Sequence, residues 1–390
     1  MSSSGSEHPA VTKFREYLRL NTEQPNPNYR ECEKYLYAYG KELGFDVWSY
    51  ECVEGKPIVG MTLLGTDPSL KSLSLCSHTD VVPTFREHWT HDPYSAYKDA
   101  DGNIFARGAQ DMKCVGVQYM EALRSLLEGK PKDASGKVKP VFPRTIHILW
   151  NPDEEIGSHD GAEKFVHTDR FKQLNVGFGL DEGLASEDDA YKVYYGERCV
   201  WWMKVICPGS PGHGSRFIEN TAGPKLRSII DSFSDFREKQ EKLLKSNPKL
   251  NLGDVTSVNL TKVEGGVQVN VIPSAYVAWF DLRITPTDDL EKMEAQIAEW
   301  CKKAGDDVTY EFIQKGTNKN LTPTTKEDPW WNALSSLGYR AIGFSPMINT
   351  PCLLHDHNEF LNERVFLRGV DIYKKIIPRL ASVPKGQGAE

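Results

Sequence analysis

The stretch TIHILWNPDEEIGSHDG, Thr145–Gly161, begins as an apolar, β-branched run and then sets Asp153, Glu154 and Glu155 side by side. A short apolar run that stops at polar residues and glycine reads as a buried strand. Packing alone gives no reason for three carboxylates at its exit, since ionised side chains belong in water unless something pairs with them. Two further apolar runs end in the same manner. KSLSLC leads into Ser77-His78-Thr79-Asp80, and NVGFGL leads into Asp181-Glu182. VTKFREYLRL, YRECEKYLYAYGKELGF and DMKCVGVQYMEALRSLLEG have helical spacing, and the last opens on Ala109-Gln110-Asp111-Met112-Lys113 after a glycine turn. Strands alternating with helices predict an α/β fold with a mainly parallel sheet covered on both faces. In such sheets the working groups gather just beyond the carboxyl ends of the strands.

The pattern changes near Asp189. RCVWWMKVICPG, TAGPKLRSIIDSFSDFREKQEKLL, TSVNLTKVEGG, SAYVAWFDLRIT, DDLEKMEAQIAEWCKKAG and DVTYEFIQKG follow in the order β-α-β-β-α-β, the ferredoxin-like arrangement, complete in itself. A chain of 390 residues exceeds the size at which one core keeps growing, so two domains are expected. We therefore expect residues 189–317 to be inserted between a first part, 1–188, and a second part, 318–390, that closes with the helix RVFLRGVDIYKKIIPRL. The aromatic strand RCVWWMKV reads as core or interface of the inserted domain.

Composition narrows the function. With 47 Lys+Arg against 54 Asp+Glu the formal charge is -7, which provides no basic patch for phosphates and excludes nucleic acid as an expected partner. A hydrophobic fraction of 39% with 11% aromatics suits ordinary globular cores and argues against membrane embedding. MSSSGSEHPA lacks an apolar core, so a short disordered tail is expected there, not a secretory signal or transit peptide. Eight scattered cysteines without C-x-x-C fit neither a disulfide framework nor a zinc knuckle and point to the cytosol.

Three strand ends and one helix start, all bearing acids or histidine, predict one convergent metal site. Residues two apart in an extended segment face the same way, so His78 and Asp80 project together. A metal-bound imidazole commonly gives its other N–H to a carboxylate, and Asp80 is placed for that. Asp111, a Glu of the 154/155 pair and Glu182 supply oxygen ligands, and LLHDHNE offers His355 and His357. His88, His91, His147, His159 and His167 read as surface or core histidines.

SHTDVVP, ARGAQDMKCVGVQYMEAL, PDEEIG, LDEGLA, PGHGSRF, GGVQVNVIP, FDLR and LLHDHNE, in this order, resemble the M20 metallopeptidase family, and within it the amidohydrolases that act on N-acyl-L-amino acids. The resemblance implies a catalytic α/β domain binding two zinc ions per subunit, interrupted by a smaller lid and dimerisation domain, in a homodimer. It implies His78 as a zinc ligand supported by Asp80, Asp111 as the bridge, Glu155 on one ion and Glu182 on the other. It selects His355 over His357 as the last ligand and makes Glu154 the general base. His213 of PGHGS would enter the partner subunit's site to stabilise an oxyanion, and Asn270 and Arg283 would contact the substrate. Asp153 reads as structural.

The chain departs from that pattern in one place. The family members it resembles carry a helix-strand passage, ending in a threonine-aspartate-x-arginine loop, before the GFSP segment; here WWNALSSL runs directly into GYRAIGFSPM. The passage would present an arginine for the substrate's α-carboxylate, and Arg340 is a candidate substitute. The expectation is a nearly intact zinc site with impaired turnover. The alternatives are a catalytically silent member serving as a binding protein and a related dipeptidase or deacylase.

Overall fold

The computed structural model describes residues 6–325, 327–335 and 343–386. The junction between Leu337 and Gly338, and with it Arg340, lies outside the described residues. The chain divides into two compact units, Met1–Tyr195 with Pro323–Glu390, and Gly196–Thr322. The divide falls several residues after the positions read from sequence. Tyr194 exchanges both main-chain bonds with Gly343 (3.0 and 2.8 Å), which keeps the stretch after Asp189 in the first unit, while Gly196 bridges to Leu321 within the second.

In the first unit the main elements are α1 (Pro9–Leu18), α2 (Tyr29–Leu43), β1 (Asp46–Glu51), β2 (Pro57–Leu63), β3 (Ser72–His78), α3 (Lys113–Leu127), β4 (Ile146–Asn151) and β5 (Val176–Leu180), with the C-terminal helix Glu363–Leu380 closing it. The sheet order is β1-β2-β4-β3-β5. β4, β3 and β5 are parallel neighbours, whereas β2 is antiparallel to both β4 and β1, so four of the five strands run one way. The β1–β2 hairpin was not read from the sequence. Its turn is made by Gly55 at a φ of 83°, inside a polar stretch that looks like any loop.

β3 and β4 are buried along nearly their whole length, which is why they read as continuous apolar runs. Trp150 on β4 is fully buried against α3. A Cβ on Gly116 would meet the Trp150 ring at 2.3 Å, so glycine lets α3 approach the sheet and sets where the start of that helix lies. His147 is a core histidine. Its Nε2–H donates to Leu174 O (3.0 Å) and its Nδ1 accepts from the Thr62 hydroxyl (3.0 Å), so burial lowers its pKa to about 4.

The second unit contains β6 (Cys199–Pro208), β7 (Gly212–His213), α4 (Ala222–Ser246), β8 (Ser257–Gly265), β9 (Val271–Ile272), β10 (Ala275–Ile284), α5 (Leu290–Ala304) and β11 (Thr309–Lys315). Its four-stranded sheet has the order β8-β10-β6-β11 and is antiparallel throughout. β6 alternates buried and partly open positions, which puts Trp201 fully in the core and leaves Trp202 on the other face. Among the described residues no helix is long and apolar enough to cross a membrane. All eight cysteines are free.

Candidate metal centre

Parallel pairing brings the strand ends level. His78, the last residue of β3, is in register with Asn151, the last of β4, and Leu75 is in register with Leu180 at the end of β5. The residues that follow each strand therefore emerge at one edge. Asp111 joins them from the turn before α3, and His355 from the loop that precedes the C-terminal helix.

The side chains meet closely. His78 Nε2 lies 2.9 Å from Asp111 Oδ1, 3.5 Å from Glu182 Oε1 and 3.9 Å from Glu154 Oε2. His355 Nε2 lies 3.2 Å from Asp111 Oδ2 and 3.1 Å from Glu155 Oε2. The two oxygens of Asp111 thus face two different imidazoles. His357 is elsewhere, its ring 4.8 Å from that of His88.

Two observations bear on what this cluster holds. Glu155 Oε1 and Glu182 Oε2 are buried and have no hydrogen-bond partner among the described residues, an arrangement that costs free energy unless a positive charge faces them. The cluster also draws positive charge onto its imidazoles. Burial would lower His78, but the charges of Glu182, Asp111 and Glu154 hold it well above the ordinary histidine value. Hydrogen bonds that it donates to Asp111 and Glu155 carry His355 up to about 10. Burial raises Glu182, and the charge of Asp111 beside it raises it further. Asp111 itself, despite its burial, is held below the usual carboxylate range by His355 and His78. Imidazole nitrogens and carboxylate oxygens converging in this way fit a metal cation. His78, Asp111 and Glu155 form one group whose ligand atoms lie within 4.8 Å of one another, and His78, Glu154 and Glu182 form another.

Glu154 differs from its neighbour. The Glu155 side chain is 4% exposed, but that of Glu154 keeps 48% of its surface. Partial burial, then the charges of Glu155, Asp111 and Asp80, push Glu154 up to about 7 against the pull of His78; with half the side chain still open, charge crowding is the firmer cause. A carboxylate titrating near neutrality at the open side of the cluster is suited to accept a proton.

Asp80 requires a correction. Its carboxylate lies 3.8 Å from His78 Nδ1, and the ring N–H is taken by the Asp80 main-chain oxygen at 2.8 Å. The carboxylate instead accepts from the amides of Glu154 (3.0 Å) and Glu155 (3.2 Å). The acid therefore holds the turn that bears the two glutamates, and its own peptide group orients the histidine.

Several supporting residues were missed. The fully buried Glu359 accepts from Arg107 Nη1 (2.7 Å) and from the amides of Gly108, Gln110 and Asp111. Gln110 ties the same turn to Pro351 O, Phe360 O and Leu353 N. Both stand inside motifs quoted above, so their position was the available signal. Asp153 is buried, with its carboxylate accepting from Tyr29, Gln24 and Lys56; nothing in the polar segments that carry those three marked them.

His213, Asn270 and Arg283 lie in the second unit. β7 and β9 pair so that His213 faces Val271, and Gly214 donates to Asn270 O at 2.8 Å, which places His213 and Asn270 on one ribbon. Ser215 Oγ is 2.8 Å from His213 Nδ1. Arg283 makes a two-pronged pair with Asp281 (2.8 and 3.0 Å), an internal partner for its guanidinium.

An α/β sheet edge that gathers imidazoles and carboxylates, with one carboxylate left over at the open side, defines a metal-dependent hydrolase. The chain belongs to peptidase family M20/M25/M40, whose family model matches residues 75–379. It is 49% identical over 404 residues to rat aminoacylase-1A (97% of each chain) and 48% identical over 412 residues to human aminoacylase-1 (98% of each). Both alignments are longer than the 390-residue chain, so these relatives carry residues that it lacks. The M20 family metallo-carboxypeptidase Sso-CP2 from Sulfolobus solfataricus has the same fold, with a TM-score of 0.70 at 17% identity over 96% of this chain and 99% of that one.

Proposed function

We propose that the chain hydrolyses N-acyl-L-amino acids to a carboxylate and a free amino acid, with Glu154 as the general base and two zinc ions per subunit. The observation that carries the reading is Asp111, whose two oxygens address His78 and His355 separately. His78, Glu182 and Asp111 Oδ1 frame one position; His355, Glu155 and Asp111 Oδ2 frame the other. Imidazole with carboxylate is a donor set that suits zinc. Bound there, zinc would supply Lewis acidity, polarising the amide carbonyl and making a nearby water acidic. Glu154 takes the proton from the attacking water at Oε2 and returns it to the departing amine. Asp80 keeps Glu154 and Glu155 at a fixed angle through their amides. The substrate class rests on the relatives named aminoacylase-1.

A panel of N-acetyl-L-amino acids beside dipeptides tests this reading. The expected result is release of methionine from N-acetyl-L-methionine with little dipeptide cleavage. Preference for dipeptides would move the chain to the dipeptidase alternative. No release from a folded, zinc-loaded protein would favour the silent member, with the absent arginine loop as the leading cause.

The second unit is read as lid and dimerisation domain, with His213 completing the partner subunit's site and Asn270 and Arg283 facing substrate. If so, mixing Glu154→Gln chains with His213→Ala chains restores activity through hybrid sites, up to about a quarter of the parent for random pairing. Hybrids shown to form without any recovery would refute a shared site.

A further inference from the structure

The catalytic reading leaves unexplained what holds Asp80, the fully buried acid to which the amides of both glutamates are tied. The answer lies in the loop between α1 and α2. Gln24 is 6% exposed, and its side-chain nitrogen sits 2.9 Å from Asp80 Oδ2, 3.2 Å from Asp153 Oδ1 and 3.3 Å from the Tyr29 hydroxyl. Two carboxylates can converge on one side-chain amide only through its N–H donors, so the orientation of Gln24 is determined by its neighbours. Tyr29 completes the arrangement. Its hydroxyl donates to Asp153 Oδ1 (2.7 Å) and accepts from the Asp153 amide (2.9 Å), which fixes a residue whose backbone is left-handed at a φ of 62°. Asp153 and Asp80 therefore grip Glu154 and Glu155 from both sides, and Gln24 is the link between them.

Gln24 is itself anchored to the same strand end. Its amide donates to Val81 O (2.9 Å), and the Val81 amide donates to Thr22 O (3.0 Å), so residues 22–24 run parallel to the residue that directly follows Asp80. The Glu23 carboxylate accepts from the amide and hydroxyl of Thr84 (2.9 and 3.1 Å), which keeps the segment from sliding. Donors that rigidly face a charged acceptor contribute more than neutral hydrogen bonds and aim the groups they hold.

We propose that Gln24 is a positioning residue for the general base: by donating at once to Asp80 and Asp153 it fixes the turn that carries Glu154 and Glu155. This rests on the reading of Glu154 as the base, and the test has one arm that does not require turnover. Gln24→Met keeps a similar volume without the donors, and Gln24→Asn keeps an amide that falls one methylene short. In both full-length variants, amide hydrogen exchange in a peptide spanning residues 151–157 is expected to quicken about tenfold, the size expected for losing one hydrogen bond to a charged group, with exchange elsewhere unchanged. The zinc-loaded variants are expected to lose about 10–100-fold in kcat, with KM and zinc content held.

Unchanged exchange at residues 151–157 would overturn the proposal. So would faster exchange across the whole first unit with kcat and KM moving together, which would mark Gln24 as a packing residue only. A parent chain that hydrolyses no N-acyl amino acid would defeat the functional reading, and the exchange arm would still decide the role of Gln24.

Discussion

Glu154→Gln is expected to lower kcat for N-acetyl-L-methionine by about 10²–10⁴-fold, the usual contribution of a positioned general base, while KM and metal content stay as in the parent. Glutamine preserves the volume of the side chain and one oxygen, so substrate fit and packing are unaltered. It removes the only function the reading assigns, acceptance of a proton at a carboxylate beside the cluster. The control is built into the geometry, because Glu154 lies 3.9 Å from His78 Nε2 and belongs to one of the groups that could hold a cation. If kcat falls together with zinc content, Glu154 is a ligand and the base must be sought elsewhere. If kcat is unchanged, no proton passes through Glu154 at all. Only loss of kcat with zinc retained fits the assigned role.

The residues that were legible in the sequence share one property: each lies at the boundary of an apolar run. His78 ends β3, Glu154, Glu155 and Glu182 follow their strands within a few residues, and Asp111 lies in the turn just before α3, so the boundaries of the apolar runs pointed to them without any knowledge of contacts. The parallel register of β3 with β4 then brings the strand ends together, as the α/β pattern required. What holds those residues was not legible. Gln24 comes from a polar loop with no period and Tyr29 is the first residue of α2, and they reach Asp80 and Asp153 across 56 and 124 residues of chain. The role of Asp80 was misread for a related reason. Spacing shows that its side chain can share a face with His78, but whether carboxylate or main-chain oxygen takes the imidazole proton depends on competing donors. The amides of Glu154 and Glu155 are such donors, and they belong to a turn whose shape is set by Asp153 in a left-handed conformation. The reversed β2 escaped notice because a strand buried along its whole length carries the same apolar run whichever way it pairs.

Removing the metal is expected to abolish hydrolysis and to lower the melting temperature by about 10 °C, with both restored by zinc. The loss of activity follows from the weakness of the remaining base. An ordinary water has a pKa of about 16, far above any value a carboxylate can match, so Glu154 alone gives no useful rate. The loss of stability follows from the acids themselves. Asp111, Glu155 and Glu182 are packed against two imidazoles, and two of their buried oxygens have no partner among the described residues. A cation that binds only the folded chain and saturates its site about a thousandfold adds about 4 kcal/mol, which corresponds to a shift of about 10 °C for a domain of this size. The two effects separate the readings. Undiminished turnover in protein shown by elemental analysis to be metal-free would end the metal-dependent mechanism. A large fall in melting temperature on chelation, in a chain that hydrolyses nothing when reloaded, would instead leave an intact metal centre without catalysis. The fault would then lie with substrate orientation, a term that supplies much of an enzyme's rate, and the shortened passage before Gly343 would be the place to restore it.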